Sequence, residues 1–541
     1  MRSVIVVAAT AVVVLAPPAH AQKRTEVVPY LEVQQVLTAD LKGDGDTVTY
    51  TTVAAGIDAS TRTARAEAQV SYRYEYRFGW GDQGDSQVHS GLARGNVAAI
   101  PGFLNLEGGA LATRIRSDFR GGAPALGLGD PDNVTQLYSI YAGPTVTTRV
   151  GDFDVGAYYR FGYTKVESEG RSGLIGGPAL DLFNDSTSHV AGASIGMKSG
   201  VLPFGWTVST GYEREDASQL DQRYEAKFVR ADAVLPVSPT VAVVGSVGYE
   251  DIQASQRDAL RDAAGNPVLN GDGRFVTDPA SPRLLSYDES GFIWDTGVLW
   301  RPSSRTSLEA RVGRRYGSMT YTGSFNWQAS EAIAVSTSVY DGIQTFGRQI
   351  TGGLSRIPTR FTVARDPFGG GLGGGGTGAC VFGVAGANGT GGGAGSCLSP
   401  ALLSVASGVY RTRGANALVS YNRGPWAAGY GVGYAQRRFF APEVGGFSVD
   451  GVRDEAWYAQ AYVARRLDEV SGVEGNVYAN WFDSGVPGAG TVFSTGATAT
   501  YNRTFGERLR ANASLGLYAF DQDEFESSLV GAAQIGARYS F

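Results

Sequence analysis

The stretch Thr61-Arg62-Thr63-Ala64-Arg65-Ala66-Glu67-Ala68-Gln69-Val70-Ser71-Tyr72-Arg73-Tyr74-Glu75-Tyr76-Arg77-Phe78-Gly79-Trp80 decides the fold. From Ala64 on, its even positions are small and apolar, then aromatic: Ala64, Ala66, Ala68, Val70, Tyr72, Tyr74, Tyr76, Phe78 and Trp80. Its odd positions are mostly charged or polar, with Arg65, Glu67, Arg73, Glu75 and Arg77 among them. Successive side chains of a strand point to opposite faces, so this pattern gives one apolar face and one charged face. A strand of a soluble sheet holds such a split over about five or six residues, and here it runs on through the whole stretch. Crossing a bilayer as tilted β-structure takes only ~9–11 residues. Aromatic residues bunched at one end are what an interfacial girdle supplies. The reading is one long transmembrane strand with its even positions toward lipid and its charges toward a wet interior.

The rest of the chain bounds that reading. Met1-Arg2-Ser3, the apolar run Val4 to Leu15 and Ala19-His20-Ala21 have the basic start, short apolar centre and small-residue cleavage site of a secretory signal peptide. The expected domains are therefore a signal at 1–21 and a single barrel over 22–541, since no linker separates two compositions. No later stretch approaches the ~18 consecutive apolar residues of a helical span. A chain with 76 Gly, 27 Tyr and 24 Phe but only 3 Met and 2 Cys suits a membrane barrel with a polar lumen. A net charge of -6 argues against a nucleic-acid partner, which would call for a basic surface.

Strand-like runs flank tight turns at Pro101-Gly102, Val150-Gly151-Asp152, Leu202 to Gly205, Pro236 to Pro239, Arg301 to Ser304, Asn422 to Pro425, Leu467 to Val470 and Arg503 to Gly506. Gly, Pro, Asn and Asp supply the backbone angles such turns need. Longer loops alternate with them at 118–133, 169–186, 255–286 and 346–407. Short turns on one side and long loops on the other are the asymmetry of an outer-membrane barrel. The expected fold class is an all-β, antiparallel, up-and-down transmembrane barrel of about 22 strands, within a range of 18–22. An even count returns both termini to the periplasmic side. The chain ends with Leu529, Gly531, Ala533, Ile535, Ala537, Tyr539 and Phe541 on one face. Such a last strand, with Tyr539 and terminal Phe541, is similar to the signal outer-membrane barrels present to their assembly machinery.

Little in the chain points to catalysis. After the signal only His89 and His189 remain, too few for a triad or a His-rich metal site, so we expect no catalytic, cofactor or metal residues and no enzyme. Lys42 to Asp46 and Asn270-Gly271-Asp272-Gly273 offer oxygens to calcium, or in the second case to a lipopolysaccharide head group, and read equally as solvated loops. Gly369 to Gly376 lacks the Gly-Lys-Ser/Thr ending of a phosphate loop. Cys380 and Cys397 lie in the Gly-rich loop, and in an oxidising envelope they are expected to pair. That bond would stabilise the loop by ~3 kcal/mol on the chain-entropy model. The loop could also fold into the lumen and narrow it. Alternation places Phe292, Trp294, Val298 and Trp300 outward with Glu289 and Asp295 inward, then Leu308, Ala310 and Val312 outward with Glu309, Arg311 and Arg315 inward. Charged rings set selectivity in a water-filled pore; equally, opposite charges pair and brace the wall.

Trp300 to Leu308, Gly313-Arg314-Arg315-Tyr316-Gly317, Pro29 to Val33 and the terminal strand resemble the β-barrel porin 2 type of proteobacterial outer-membrane protein. The resemblance implies an outer-membrane pore in the setting of exopolysaccharide and exosortase gene clusters, and carries no site residue. The expected function is passive passage of small hydrophilic solutes or glycans. Outer-membrane lipid, lipopolysaccharide and the assembly machinery are the expected partners. The alternatives are an occluded scaffold barrel, a rim enzyme and a gated active transporter. The last normally carries a lumen plug, for which the sequence leaves no room ahead of the first strand. An open barrel of that width would leak, so either the count is high or the long loops fill the interior.

Overall fold

The computed structural model of the protein describes residues 24–42, 47–80, 85–116, 134–167, 183–200, 202–362, 366–368, 380–383, 394–398, 405, 408–442, 450–485, 490–523 and 527–541. The proposed signal, Gly43 to Asp46 and Gly369 to Gly376 lie outside them. Alternating polarity gives 22 strands, which join in a single antiparallel ring. The first, Arg24–Asp40, pairs with Thr47–Arg62 on one side and with the last strand, Ser528–Ser540, on the other. Tyr30 lies opposite Ser540 and Asp40 opposite Val530, and Phe541 N–H donates to Pro29 O at 3.0 Å. Arg24 and Ser540 therefore lie on one rim, where the connections are as short as 151–152, 304–305 and 424–425, while the longer connections 257–283 and 346–408 leave the strands at the other. No described helix is long and apolar enough to cross a membrane.

Burial is inverted relative to a soluble protein. In the first strand Glu32 and Gln34 are each 4% exposed, whereas Leu31 and Val33 between them are 50% and 52% exposed. Leu515 and Ile535, at 66% and 68%, repeat this on the closing strands. Apolar surface of that extent is stable only where the surroundings are lipid, and a closed ring is the only sheet that satisfies its backbone there. The protein is an integral outer-membrane barrel. Phe292 and Trp294 face out at the middle of the strand Leu284–Ser303 and Trp300 near its end. Outward aromatic residues separated along a strand in this way suit the two interfacial girdles of a membrane barrel.

Two departures from the sequence reading follow from local chemistry. Thr61 to Trp80 is not one strand: Thr47–Arg62 ends, the chain turns at 63–65, and a new strand runs Ala66–Gly79. Thr63 Oγ1 accepts from Arg65 N at 3.3 Å and Ala66 N at 2.9 Å, fixing a turn that period-two polarity runs straight through. The second departure is a notch in the wall. The turn Arg315-Tyr316-Gly317-Ser318 has φ of 56° at Tyr316 and 67° at Gly317, the two positive angles of a tight hairpin. It stops the strands Thr306–Arg315 and Ser318–Gln328 low on the outer rim. The ladder from Leu284–Ser303 onto them begins only at Trp294 opposite Arg314. On the far side, Ser318–Gln328 pairs with Ile333–Thr345 only from Gly323 opposite Val339. Among the described residues, Leu284 to Ile293 meet no strand on that edge.

Leu515→Arg places a charge on the lipid face. We expect a loss of about 2–4 kcal/mol of stability, read from urea unfolding in phospholipid vesicles, with Leu515→Ala far milder.

Candidate functional site: a lumen filled from within the chain

The connection between the strands Ile333–Thr345 and Val409–Arg423 is folded inside the ring. It begins with the helix Phe346–Arg356. Phe346, Ile350, Leu354 and Ile357 recur at helical spacing and make one apolar stripe. That stripe packs on Leu92, Leu111, Ile115, Leu137 and Val166, inward residues that would otherwise waste apolar surface on a wet lumen. Glu215 of the strand Gly205–Ala217 holds the helix start, accepting from Thr345 Oγ1 at 2.5 Å and from Arg348 N at 2.7 Å. Arg348 pairs with Glu213 and lies over the Tyr224 ring at 4.1 Å. At the other end Arg94 donates to Ile357 O at 2.8 Å and Ser355 O at 3.1 Å, a cation at a helix C-terminus where the dipole favours one. Tyr410 donates to Gln349 Oε1 at 2.5 Å.

Beyond the helix the segment crosses the lumen by borrowing wall side chains as partners. Gln69 acts as a strand neighbour to Phe361, donating to its O at 2.9 Å and accepting from its N at 3.2 Å. Thr359 donates to Glu67 at 2.6 Å, Arg77 to Phe368 O at 3.2 Å, and Tyr518 to Asp366 at 2.6 Å. A three-stranded sheet of Phe361–Thr362, Cys380–Gly383 and Gly395–Cys397 carries the Cys380–Cys397 disulfide. Cys380 N donates to Gln460 at 3.0 Å, and the Phe382 ring lies 4.8 Å from that of Tyr462. The wall makes room with glycine: a Cβ on Gly431 would stand 2.7 Å from Cys380 Sγ, and one on Gly429 2.5 Å from Phe382.

One sector of the wall meets none of these described contacts. On the inner faces of Gln222–Pro236, Leu284–Ser303 and Thr306–Arg315, five charges form a network. Arg230 binds Asp232 and Asp295, each at 2.8 Å. Arg311 binds Asp232 at 3.0 Å, Asp295 at 2.9 Å and Glu309 at 2.6 Å. These side chains keep 15–38% of their surface open, against 0–3% for the Arg437–Asp454 pair. Among the described residues the network therefore stays partly accessible to solvent.

The predicted lumen residues thus divide. Arg65 is excluded because it sits in the 63–65 turn. Glu67 and Arg77 hold the internal segment. Arg73 joins Glu32 and Glu75, each at 2.6 Å, on the same wall. Asp295, Glu309 and Arg311 belong to the partly exposed network. Arg315 binds Glu250 at 2.6 Å higher up, and Glu289 stands beside the 316–317 turn. Sequence reasoning missed Arg94, Glu215, Arg230, Asp232 and Gln460. The available signal was the inward apolar run Leu92, Leu111, Ile115 and Leu137, which has no place in a water-filled lumen unless something covers it.

His89 and His189 both face outward among aromatic rings. Tyr72 and Tyr159 hydroxyls meet their Nδ1 atoms at 2.7 Å. In the outer loop, Asn270 Oδ1 accepts from Asp272 N and Arg274 N, each at 3.0 Å, so it is occupied by its own turn. Asp262 does likewise, and the N–H of Asn266 holds its carboxyl below the usual range. Among the described residues no three His, Cys, Asp or Glu side chains gather as a metal site.

No protein-family model and no curated protein matches the chain. Solved structures similar to it include the FrpB iron transporter of Neisseria meningitidis, at 11% identity and TM-score 0.42, covering 95% of this chain and 81% of that one. The ferric-catecholate import receptor Fiu of E. coli K12 matches at 10% identity and TM-score 0.44, covering 95% and 81%. The siderophore receptor PirA of Acinetobacter baumannii matches at 9% identity and TM-score 0.42, covering 95% and 80%.

Arg94→Ala removes the cap on the inner helix. Hydrogen bonds from a charged donor contribute about 1.5–3 kcal/mol. Hydrogen exchange should therefore quicken across Ile350 to Ile357 while the Ser86–Ile100 ladder stays protected.

Proposed function

We propose that this barrel passes small hydrophilic solutes across the outer membrane along the part of its inner wall whose charged side chains stay partly accessible to solvent. The observation that carries the reading is the partly wetted network of Arg230, Asp232, Asp295, Glu309 and Arg311, set against the close burial of pairs such as Arg437–Asp454 and Arg77–Glu75. A wall of alternating guanidinium and carboxylate groups offers both donors and acceptors to a hydrated solute without a strong single-sign barrier. The internal segment bears on the problem of leakage, because its described residues pack inside the ring that 22 strands enclose. The resemblance to porin 2-type barrels agrees with this role, and passage of a glycan chain is its narrower form. Exposed Tyr539 and Phe541, with rings 5.1 Å apart at the inner rim, support recognition of the last strand by assembly machinery.

A second reading is favoured by the extent of the inner contacts: an occluded barrel serving as a scaffold. Single-channel conductance of refolded protein separates the two. The transport reading expects small, steady, weakly selective steps. Arg230→Ala with Arg311→Ala should shift selectivity toward cations, and Asp232→Asn with Asp295→Asn toward anions. Reduction of Cys380–Cys397 should raise or destabilise the conductance by loosening the inner sheet. Silence from a folded barrel, before and after reduction, establishes the scaffold.

A further inference from the structure

The notch in the outer wall is closed in an unusual way. Along the strands beyond it, Ile343 and Val409 occupy outward positions, on the same side as lipid-facing Val339 and Val419. Yet both are buried, at 2% and 5% exposure, against Ile252 and Ala254 on the inward face of Val241–Gln256. Phe440, outward on Trp426–Phe440 like exposed Tyr430, stacks at 4.7 Å on Tyr287, which is inward on Leu284–Ser303. The outer face of one part of the wall therefore packs on the inner face of another. Above the notch the barrel overlaps itself like a rolled sheet instead of closing edge to edge.

We propose that this overlap is a lateral gate, whose inner leaf, the outer ends of Ile333–Thr345, Val409–Arg423 and Trp426–Phe440, swings free of its outer leaf. Among the described residues the contact across the seam is between side chains, apart from a few separate hydrogen bonds, Thr345 Oγ1 to Glu215 at 2.5 Å among them. Glu250 accepts from Arg315 Nε at 2.6 Å and from Tyr316 N at 3.3 Å, which locks the hairpin tip to the outer leaf. Gly408 N donates to Gln222 at 2.9 Å. Elsewhere in the ring, parting two strands strands a row of N–H and C=O groups, at several kcal/mol each within lipid. Among the described residues, parting the seam frees only isolated N–H groups such as those of Tyr316 and Gly408 rather than a row, because the edge of Leu284 to Ile293 is already bare. That edge stands above the Phe292–Trp294 girdle, where water and head groups solvate it, and its outward Asp288 and Ser290 are polar. The inner leaf also carries Tyr410, which bonds Gln349 of the internal helix, and Thr345, from which that helix starts, so its movement would shift the helix with it.

Thiol labelling tests the gate without any solute flux, so it succeeds or fails independently of the transport reading. Both native cysteines are bonded, so Ile343→Cys or Val409→Cys introduces a single free thiol in the seam. Ala456→Cys introduces one in a fully laddered, equally buried part of the wall. With refolded barrels in vesicles and a water-soluble maleimide, the seam thiols should label faster than the Ala456→Cys control. Adding Glu250→Gln should raise the seam rate about tenfold, as expected when a half-buried ion pair is lost, and leave the control unchanged. Seam thiols as resistant as the control, or all three labelling alike from general loosening, overturn the gate. Should either seam variant not fold, the other carries the test alone.

Discussion

A chain surrounded by hydrocarbon has no solvent partner for its peptide groups, and this structure is organised by that requirement. Every N–H and C=O at membrane depth must find another strand, so the sheet has to return on itself. Arg24–Asp40 meeting Ser528–Ser540 completes the circuit. Once the backbone is satisfied in this way, side chains sort by alternation alone, which is why Leu31 and Val33 face outward and Glu32 and Gln34 inward. The cost appears inside. A ring of this circumference encloses more space than inward side chains can fill, and the 346–398 segment takes up that space with a helix, a small sheet and a disulfide.

The period-two polarity, the turn residues and the long outer loops carried the ring in the sequence, because each of these is a local property. The strand count followed from them. What was not legible depended on partners distant in the chain. Arg94 and Glu215 are ordinary inward residues by pattern, and only the three-dimensional path of Thr345 to Ile357 gives them their roles. Arg65 was misplaced because a Thr side chain can turn the backbone without Gly or Pro, leaving polarity unbroken across the bend. Whether Arg311 stood alone or bound three carboxylates could not be read from alternation either, since register across neighbouring strands decides it. The overlap at Ile343 and Val409 is the extreme case: in sequence these are simply outward apolar residues, like those that meet lipid.

Charge serves different purposes at different places in the lumen. Where the internal segment presses on the wall, ions are buried and matched, as in Glu75 with Arg73 and Arg77. Such pairs set position more than they add stability, since desolvation offsets much of the attraction. Arg230 and Arg311 instead share carboxylates while staying partly exposed to solvent. The same residue types are braces on one side and lining on the other, and the difference is access to water.

The way the internal segment is attached limits what can be done to it. It leaves the wall at Thr345 and rejoins it at Val409, both on the outer rim, as a closed loop with no end of its own among the described residues. A pull applied from the periplasmic side finds no terminus in it to grip and unravel. Nor can it be withdrawn downward without dragging two wall strands through the membrane. It is captive, and whatever it permits must come from shifting in place rather than from extraction.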